Sequence, residues 1–282
     1  MAAGVAVISQ AGPALAGKDL DVVKQRGQLV CGVAVGGIAG FMTVDSQGKW
    51  TGMNVDICRG ISAALFGDSE KVKYVPLSGQ QRFTALQAGE VDLLSNNSTW
   101  TLTRDTALGL DFVGITYYDG QGFMVNKKLG VKSAKELNGA SICVLTGSTS
   151  ELNIADYFRT NNMKYQEMKF AGLNDVIKAY DSGQCDTLTA DVSQLYALRQ
   201  NLGKPGDHII LPDVISKEPL APVVRQRDDD WMMIVKWTLY AMINAEELGI
   251  TSKNIDEALK SKKPDVMRLV GTEGAYGEEL GL

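Results

Sequence analysis

The chain has 282 residues, of which 45% are hydrophobic and 22% charged, as is ordinary for a globular protein of one or two domains. The net charge is −5 and the sequence holds no lysine- or arginine-rich run, so we expect no nucleic-acid partner. The apolar stretches are too short or too interrupted to cross a bilayer, so we also expect no direct membrane insertion.

Residues 1–16 read MAAGVAVISQAGPALA, a run of small and apolar residues without a charged side chain. The run ends in Ala14-Leu15-Ala16, an A-x-A pattern like those cut by signal peptidase. The first cation is Lys18, so the basic start of a full export signal is missing. We interpret residues 1–16 as the remnant of an export signal; an ordinary disordered N-terminus is the alternative.

Four cysteines are present, Cys31, Cys58, Cys143 and Cys185, and none belongs to a C-x-x-C pair. With one histidine in the sequence, His208, we expect no metal site. Four cysteines allow three pairings. Cys31–Cys58 and Cys143–Cys185 would each stay within one half of the chain, and disulfides would agree with an exported protein. The alternative is four buried free thiols in a cytosolic chain.

Hydrophobic periodicity predicts alternating strands and helices, which is typical of parallel α/β sheets. The first block predicts a strand at 28–35, a helix at 54–66, a strand at 72–75, a helix at 81–88 and a strand at 91–95. The second predicts strands at 141–145, 164–169 and 185–189 and helices at 151–158, 173–181 and 192–201. A long amphipathic helix at 228–248 and shorter ones at 254–259 and 264–269 follow.

Two extended segments, 117–125 and 215–224, flank the second block. The simplest topology inserts that block into the first, so that the chain crosses twice between two lobes and leaves a cleft between them. We therefore predict an α/β protein of two open α/β domains joined by a two-stranded hinge. Lobe 1 is assigned residues 17–122 and 218–282, and lobe 2 the inserted residues 123–217.

An internal echo links the two blocks. Residues 85–94 read ALQAGEVDLL and residues 179–188 read AYDSGQCDTL, so that alanine, glycine, aspartate and leucine recur at one offset, 179 − 85 = 94. The same offset carries Asn97 to Asp191. Polar groups thus follow equivalent strands of two similar domains, where ligands of open α/β sheets bind. Coincidence is the alternative, because helix–glycine–strand patterns are common.

Residues 95–105, SNNSTWTLTRD, crowd hydroxyls, amides and Arg104 together. A guanidinium offers a two-donor fork that suits a small carboxylate, and the neighbouring donors fill its remaining lone pairs. Asp191 on the other lobe would supply the anion that an α-ammonium needs. The turn at 146–150 precedes a helix, so its N–H groups would add donors for the carboxylate. The alternative is a polar turn whose arginine pairs with a surface carboxylate.

The motifs S-T-W-T-x-x-R-D, D-F-V and Y-Y-D-G-Q-G-F-M-V, in this order, resemble the periplasmic amino-acid-binding proteins of ABC importers, solute-binding protein family 3. More narrowly, the chain is similar to general L-amino-acid-binding proteins, from about Leu20 to the C-terminus. The resemblance implies the type II periplasmic binding-protein fold. It also implies a periplasmic monomer without a cofactor, which closes on one free L-amino acid, with broad specificity, and delivers it to a membrane permease.

The resemblance also implies roles for individual residues. Arg104 matches the arginine that grips the α-carboxylate, and Thr99 matches a hydroxyl that assists it. Asn97 matches a position that contributes main-chain contacts. Asp191 matches the acidic residue that accepts hydrogen bonds from the α-ammonium.

Three further positions carry over. Thr149, with Ser148 nearby, falls in the anion-contacting turn of the second lobe, and Phe41 lies where an early-loop aromatic covers the ligand. Relatives tend to have an arginine where this chain has Asn96. That departure bears on the preferred side chain of the ligand and not on its head group.

Two other functions compete with free amino-acid binding. The fold resembles that of cyclohexadienyl dehydratases, for which Glu151 would be the candidate acid. However, the sequence has no Gly-rich phosphate loop, no G-x-S-x-G and no paired histidines. Sensory domains of receptors share the fold but continue into a membrane helix. No such helix follows Leu282, so we expect a free binding protein.

Overall fold

A computed structural model describes residues 19–282, so the expected export-signal remnant at residues 1–16 lies outside the described residues. The strands are β1 Leu29–Ala34, β2 Thr43–Val44, β3 Trp50–Thr51, β4 Val72–Leu77, β5 Leu93–Thr99, β6 Leu110–Phe112, β7 Tyr117–Asp119, β8 Gln121–Asn126, β9 Ser141–Leu145, β10 Gln166–Phe170, β11 Thr187–Asp191, β12 His208–Ile210 and β13 Glu218–Arg225. The helices are α1 Asp19–Arg26, α2 Met53–Phe66, α3 Gln81–Gln87, α4 Leu102–Ala107, α5 Thr149–Thr160, α6 Leu173–Asp181, α7 Val192–Arg199, α8 Asp229–Glu247, α9 Ile255–Ala258, α10 Pro264–Leu269 and α11 Tyr276–Glu279. None of these helices is both long enough and apolar enough to span a membrane.

The strands form two large sheets of the same design. The first has the order β4-β1-β5-β13-β6, with β7 added to β13, and the second has the order β10-β9-β11-β8-β12. In each sheet the first three strands run parallel and the fourth is antiparallel to both of its neighbours. The predicted α/β fold of two open domains is therefore confirmed, while the lobe boundaries stay a prediction.

The echo in the sequence is a repeat in the structure. Gly89 and Gly183 each follow a helix with φ of 76° and 79°, a conformation that glycine adopts without a Cβ penalty. Three residues later, Asp92 accepts a hydrogen bond from the Val30 N–H of β1 at 2.7 Å. Asp186 does the same for the first N–H of β9 at 2.8 Å. In both lobes, an aspartate just before one strand (β5 or β11) therefore holds the neighbouring strand (β1 or β9) by the same kind of hydrogen bond.

The two crossings between the sheets lie side by side. Strand β7 pairs antiparallel with β13, with Tyr117 opposite Leu220. One step further, the Ile215 N–H donates to the Gln121 carbonyl at 2.9 Å. These contacts form the two-stranded hinge.

Each lobe contains one disulfide that starts from a strand of its large sheet. Cys31 in β1 is bonded to Cys58 in α2, and Cys143 in β9 is bonded to Cys185 just before β11. These are the pairings in which each bond stays within one half of the chain. The bonds close segments of 27 and 42 residues, which restricts the unfolded chain.

The polar stretch after the predicted strand at 91–95 is not a turn. Strand β5 continues to Thr99, and Arg104 lies on helix α4. Two neighbours hold the strand, because β1 pairs with its start and β13 pairs with Leu94, Ser98 and Thr99. Backbone pairing with β13 thus extends the strand beyond Leu94, through residues whose side chains are polar.

Candidate functional site

A cavity lies between the two sheets, at the carboxyl ends of their parallel strands. From the first lobe it is lined by residues that include Val35, Ser78, Arg82, Asn96, Asn97 and Thr99, and from the second by Leu145, Ser148, Thr149, Ala171, Asp191 and Gln194. Five of the seven predicted ligand-binding residues belong to this lining: Asn97, Thr99, Ser148, Thr149 and Asp191. Arg104 and Phe41 do not.

The lobes touch backbone to backbone at one edge of this cavity. A Cβ on Gly79, in the loop between β4 and α3, would lie 2.6 Å from the Thr146 carbonyl oxygen. A Cβ on Gly147, in the facing turn, would lie 2.9 Å from the Gln80 nitrogen. Two glycines therefore permit the approach of the lobes.

Arg104 lies behind the cavity lining and spans the cleft. Thr101 caps helix α4 by accepting a hydrogen bond from the Arg104 N–H at 3.2 Å. This bond fixes the position of the Arg104 backbone, from which the guanidinium extends. The guanidinium donates to the Thr99 carbonyl at 2.9 Å and, over a long 3.4 Å, to the Gly147 carbonyl of the other lobe. It also lies over the Phe83 ring, 4.9 Å from the centroid. The hydrogen bond to Gly147 is long and therefore weak, so a stronger acceptor could take the place of this carbonyl.

A second arginine, Arg82, reaches the cavity from α3, and the sequence reasoning missed it. It is only 8% exposed, and its guanidinium donates to the Gly147 carbonyl at 3.4 Å and lies 4.7 Å from the Phe83 centroid. Its Nε is buried and has no hydrogen-bond partner among residues 19–282. The buried face of α3 consists of Arg82, Ala85 and Leu86. A cation on this apolar stripe is the signal that could have revealed it.

Burial lowers the pKa of both arginines, but both side chains stay positively charged at neutral pH. Burial, together with the nearby Arg104, lowers the pKa of Arg82 to about 9. Burial lowers the pKa of Arg104 to about 10, while Glu218 and Asp191 act in the opposite direction. The cavity therefore presents two cations close to two carboxylates.

Asp191 occupies the N-cap position of α7 without capping it. Instead, Asp119 from β7 in the hinge accepts hydrogen bonds from the Ser193 N–H, at 3.4 Å, and from the Ser193 hydroxyl. A hinge residue thus does the capping, and no residue in the described part of the chain donates a hydrogen bond to the Asp191 carboxylate. Because Asp191 does not cap α7 and lines the cavity, its carboxylate is available to bind a ligand.

The surroundings of Asp191 favour its protonated form. Burial raises the pKa of this carboxyl well above its usual range, and the charges of Glu218 and Asp119 add to the rise. Arg82 and Arg104 oppose it. A cationic group that entered the cavity would stabilise the ionised form.

Asn97 has a strained backbone inside a strand. Its φ is 56°, a left-handed conformation that costs a residue with a Cβ about 1–2 kcal/mol. Its Oδ1 accepts a hydrogen bond from Asn54 at 2.6 Å, while its Nδ2 is buried and lacks a partner among residues 19–282. Strain together with an unused donor is typical of a functional position.

Glu218 joins the lobes, and it too was missed. This buried carboxylate accepts hydrogen bonds from Thr99 at 2.6 Å, from Thr149 at 2.8 Å and from Asn153 at 2.7 Å. The hydroxyls of Thr99 and Thr149 therefore point at Glu218 in this structure, with 3.5 Å between them. A charge directly before the apolar run 219–224 was the available signal.

Glu151, the candidate acid of the competing enzyme function, shapes the turn before α5. It accepts a hydrogen bond from the Gly147 N–H at 2.7 Å and pairs with Lys169 at 3.1 Å. Ser148 donates to the Leu145 carbonyl at 2.6 Å and leaves the N-terminus of α5 without a side-chain cap. This terminus borders the cavity.

Phe41 lies apart from the cavity. It is buried in the core of lobe 1 and makes an edge-on contact with Tyr117, with 5.5 Å between the ring centroids. Its role as a cover of the ligand stays a prediction that no contact supports. Within residues 19–282, no group of three or more histidine, cysteine, aspartate or glutamate residues is placed to hold a metal ion.

Comparison with known proteins places this site in a family. The model of the bacterial extracellular solute-binding proteins, family 3, matches residues 32–254. The chain belongs to this family. The general L-amino acid-binding periplasmic protein AapJ of Rhizobium johnstonii is 54% identical over 283 residues, 100% of this chain and 83% of the relative.

Two other proteins are similar to this solute-binding protein over most of its length. The glutamate/glutamine/aspartate/asparagine-binding protein BztA of Rhodobacter capsulatus is 50% identical over 279 residues, 99% of this chain and 82% of the relative. A solved periplasmic binding protein of Brucella ovis, with glutathione bound, has a TM-score of 0.90 and 53% identity, over 93% of this chain and 83% of that one. These relatives are transport binding proteins, so this chain is a solute-binding protein and not an enzyme.

Proposed function

We propose that this protein captures free L-amino acids in the periplasm by closing its lobes around them and delivers them to the permease of an ABC importer. The observation that carries the proposal is a base and an acid from opposite lobes: Asp191 lines the cavity, and Arg104 lies behind the lining and reaches across to the Gly147 carbonyl. A free amino acid is a zwitterion, so it offers both charges the partners they lack. Each charge would be costly to bury alone, which makes closure depend on a complete head group.

The head group would be held as follows. The α-carboxylate takes the fork of Arg104 in place of the long contact to Gly147, and the uncapped N-terminus of α5 adds donors at Ser148 and Thr149. The α-ammonium donates to Asp191. Thr99 supports the site through its carbonyl, which orients Arg104.

Location and assembly are part of the same proposal. The family is extracellular, and two disulfides suit an oxidising compartment such as the periplasm. One chain supplies both charged groups, so the site needs no second copy, which supports a monomer. The hinge contacts near residues 119–121 and 215–220 support lobe boundaries at 122/123 and 217/218.

The Brucella protein gives a second candidate ligand. Glutathione begins with a γ-linked glutamate whose α-amino and α-carboxyl groups are free, so it presents the same head group as an amino acid. A cavity built around that head group can therefore be tested with both classes.

Calorimetric titration with the common L-amino acids and with glutathione tests the proposal. Arg104→Met removes one member of a buried charge pair, a loss of about 2–5 kcal/mol, or roughly 30- to 4,000-fold in affinity. The matched control is Arg159→Met, because Arg159 is exposed and pairs with Asp156 on its own helix. If no ligand gives heat, the proposed function is wrong; if Arg104→Met binds as the control does, the assigned site is wrong.

A further inference from the structure

Glu218 is a buried carboxylate that is held by hydrogen bonds and not by a cation. It is 1% exposed, and within residues 19–282 no lysine or arginine forms an ion pair with it. A buried charge without an ionic partner is costly unless hydrogen bonds compensate for the lost water. Four side chains donate these hydrogen bonds: Thr99, Thr149, Asn153 and Ser216. The cost of this charge therefore depends on where the four donors lie.

The donors come from both lobes. Glu218 begins β13 of the first sheet, and Thr99 ends β5, which pairs with β13. Thr149 and Asn153 lie on α5, which packs on β9 and β11 of the second sheet. They are four residues apart, so both project from one face of the helix. Two hydrogen bonds thus cross from lobe 2 to the Glu218 carboxylate of lobe 1, at 2.8 and 2.7 Å.

Helix α5 can hold Glu218 and a ligand at the same time, because the two use different groups. Glu218 takes the side-chain donors of Thr149 and Asn153, whereas the proposed α-carboxylate takes N–H groups at the start of the helix. Asn153 is not among the residues that line the cavity. Its bond to Glu218 is therefore independent of which ligand is bound.

We propose that Glu218 is an interlobe latch, a positioning residue that stabilises the closed lobes by binding Thr149 and Asn153. The inference rests on the proposed function, since it concerns the closing movement by which a ligand is captured. When the lobes separate, α5 moves away from β13, and water must replace both of its donors. The latch adds the same free energy to closure for every ligand, so it sets the affinity and not the selectivity.

Asn153→Ala tests the latch, because it removes one interlobe hydrogen bond and leaves the cavity lining intact. We expect calorimetry to show one common loss of affinity for every L-amino acid that the wild type binds. The loss should be roughly 10- to 150-fold, which corresponds to about 1.5–3 kcal/mol for a hydrogen bond to a charged group. Asn161→Ala is the matched control on the same helix, because the Asn161 side chain donates to the Tyr157 carbonyl of α5 itself, at 2.8 Å.

Release of a radiolabelled amino acid into excess unlabelled amino acid distinguishes a latch from a merely structural role. A ligand leaves only after the lobes open, so Asn153→Ala should raise the dissociation rate by about the factor that it removes from the affinity. The melting temperature without ligand should stay close to that of Asn161→Ala. Asn153→Asp should weaken binding further than Asn153→Ala does, because it places a second carboxylate against Glu218.

A double-mutant cycle identifies the acceptor. Glu218→Gln keeps the size of the side chain but removes its charge, and a hydrogen bond to a neutral amide is weaker than one to a carboxylate. In this background the effect of Asn153→Ala on affinity should therefore shrink by about fivefold.

The possible failures are distinct. If Asn153→Ala binds and releases its ligands as the control does, the latch is wrong while the proposed function stands. The same conclusion follows if its effect is equal with and without the Glu218 carboxylate, because Asn153 would then act through another group. If neither the amino acids nor glutathione give heat with the wild type, the proposed function fails and the latch fails with it.

Discussion

The contact between Gly79 and the opposite lobe permits a substitution that affects closure alone. Its φ is not in the left-handed region, so Gly79→Ala introduces no backbone strain within lobe 1. The new Cβ would lie 2.6 Å from the Thr146 carbonyl oxygen of lobe 2, a backbone atom that cannot rotate away. The clash therefore exists only when the lobes touch.

The size of the effect follows from this geometry. Ordinary contacts of a Cβ begin at 3.4 Å, so the lobes would have to separate by 3.4 − 2.6 = 0.8 Å at this point. Overpacking of this kind costs about 1–3 kcal/mol, which lowers ligand affinity roughly 5- to 150-fold if binding requires the closed state. The open protein makes no such contact, so its stability should not change.

Calorimetry on Gly79→Ala measures the loss of affinity, and thermal unfolding without ligand measures the stability. Gly206→Ala is the matched control, because it too lies outside the left-handed region and a Cβ there would meet nothing within 4 Å. Small-angle scattering gives a third measurement, since the radius of gyration of the liganded variant should exceed that of the control.

An affinity within twofold of the control would refute the reasoning, because closure would then not require the close approach of Gly79 to Thr146. A fall in melting temperature that matches the loss of affinity would refute it as well, since the damage would lie within lobe 1 and not between the lobes.

Three further predictions concern capping, pH and cross-linking. Asp119→Ala should free the α7 cap beside Ser193 for Asp191, lowering affinity about tenfold and stability by about 1 kcal/mol; an affinity equal to that of the wild type would contradict this. Because the pKa of Asp191 is raised, affinity should fall as the pH falls through that pKa, and binding should release a proton, measured by calorimetry in two buffers; Asp191→Asn should abolish the release. Its contribution to stability without ligand has the opposite sign and grows as the pH falls. Cys31→Ala/Cys58→Ala should lower the free energy of unfolding in urea by about 3–4 kcal/mol, and a change below about 1 kcal/mol would contradict the loop-entropy argument.

Local rules were enough to predict most of the fold from the sequence. The glycine and aspartate of the echo recur because each lobe uses the same helix–strand connection, and only the residues within it determine its form. Helix α6 begins and ends where periodicity predicts, at Leu173 and Asp181. The end of β5 could not be predicted in this way, since pairing with β13, over 100 residues later, keeps its polar residues extended.

The candidate site was only partly predictable for the same reason. Asp191 and Asn97 follow from the repeat, whereas Arg82 and Glu218 depend on which elements face the cavity. A charge on a buried stripe of a helix or in an apolar strand was the only local sign of them. The capping of α7 by Asp119 has no local signal, because donor and acceptor are 74 residues apart.

The repeat has a consequence for the orientation of a bound molecule. If the two lobes presented identical groups at equivalent strand ends, the cleft would have two-fold symmetry, and a ligand could enter either way round. Here equivalent positions carry an amide in one copy, Asn97, and a carboxylate in the other, Asp191. That difference, together with the two arginines of lobe 1, gives the cleft a direction, so every captured molecule would face the membrane partner with the same end.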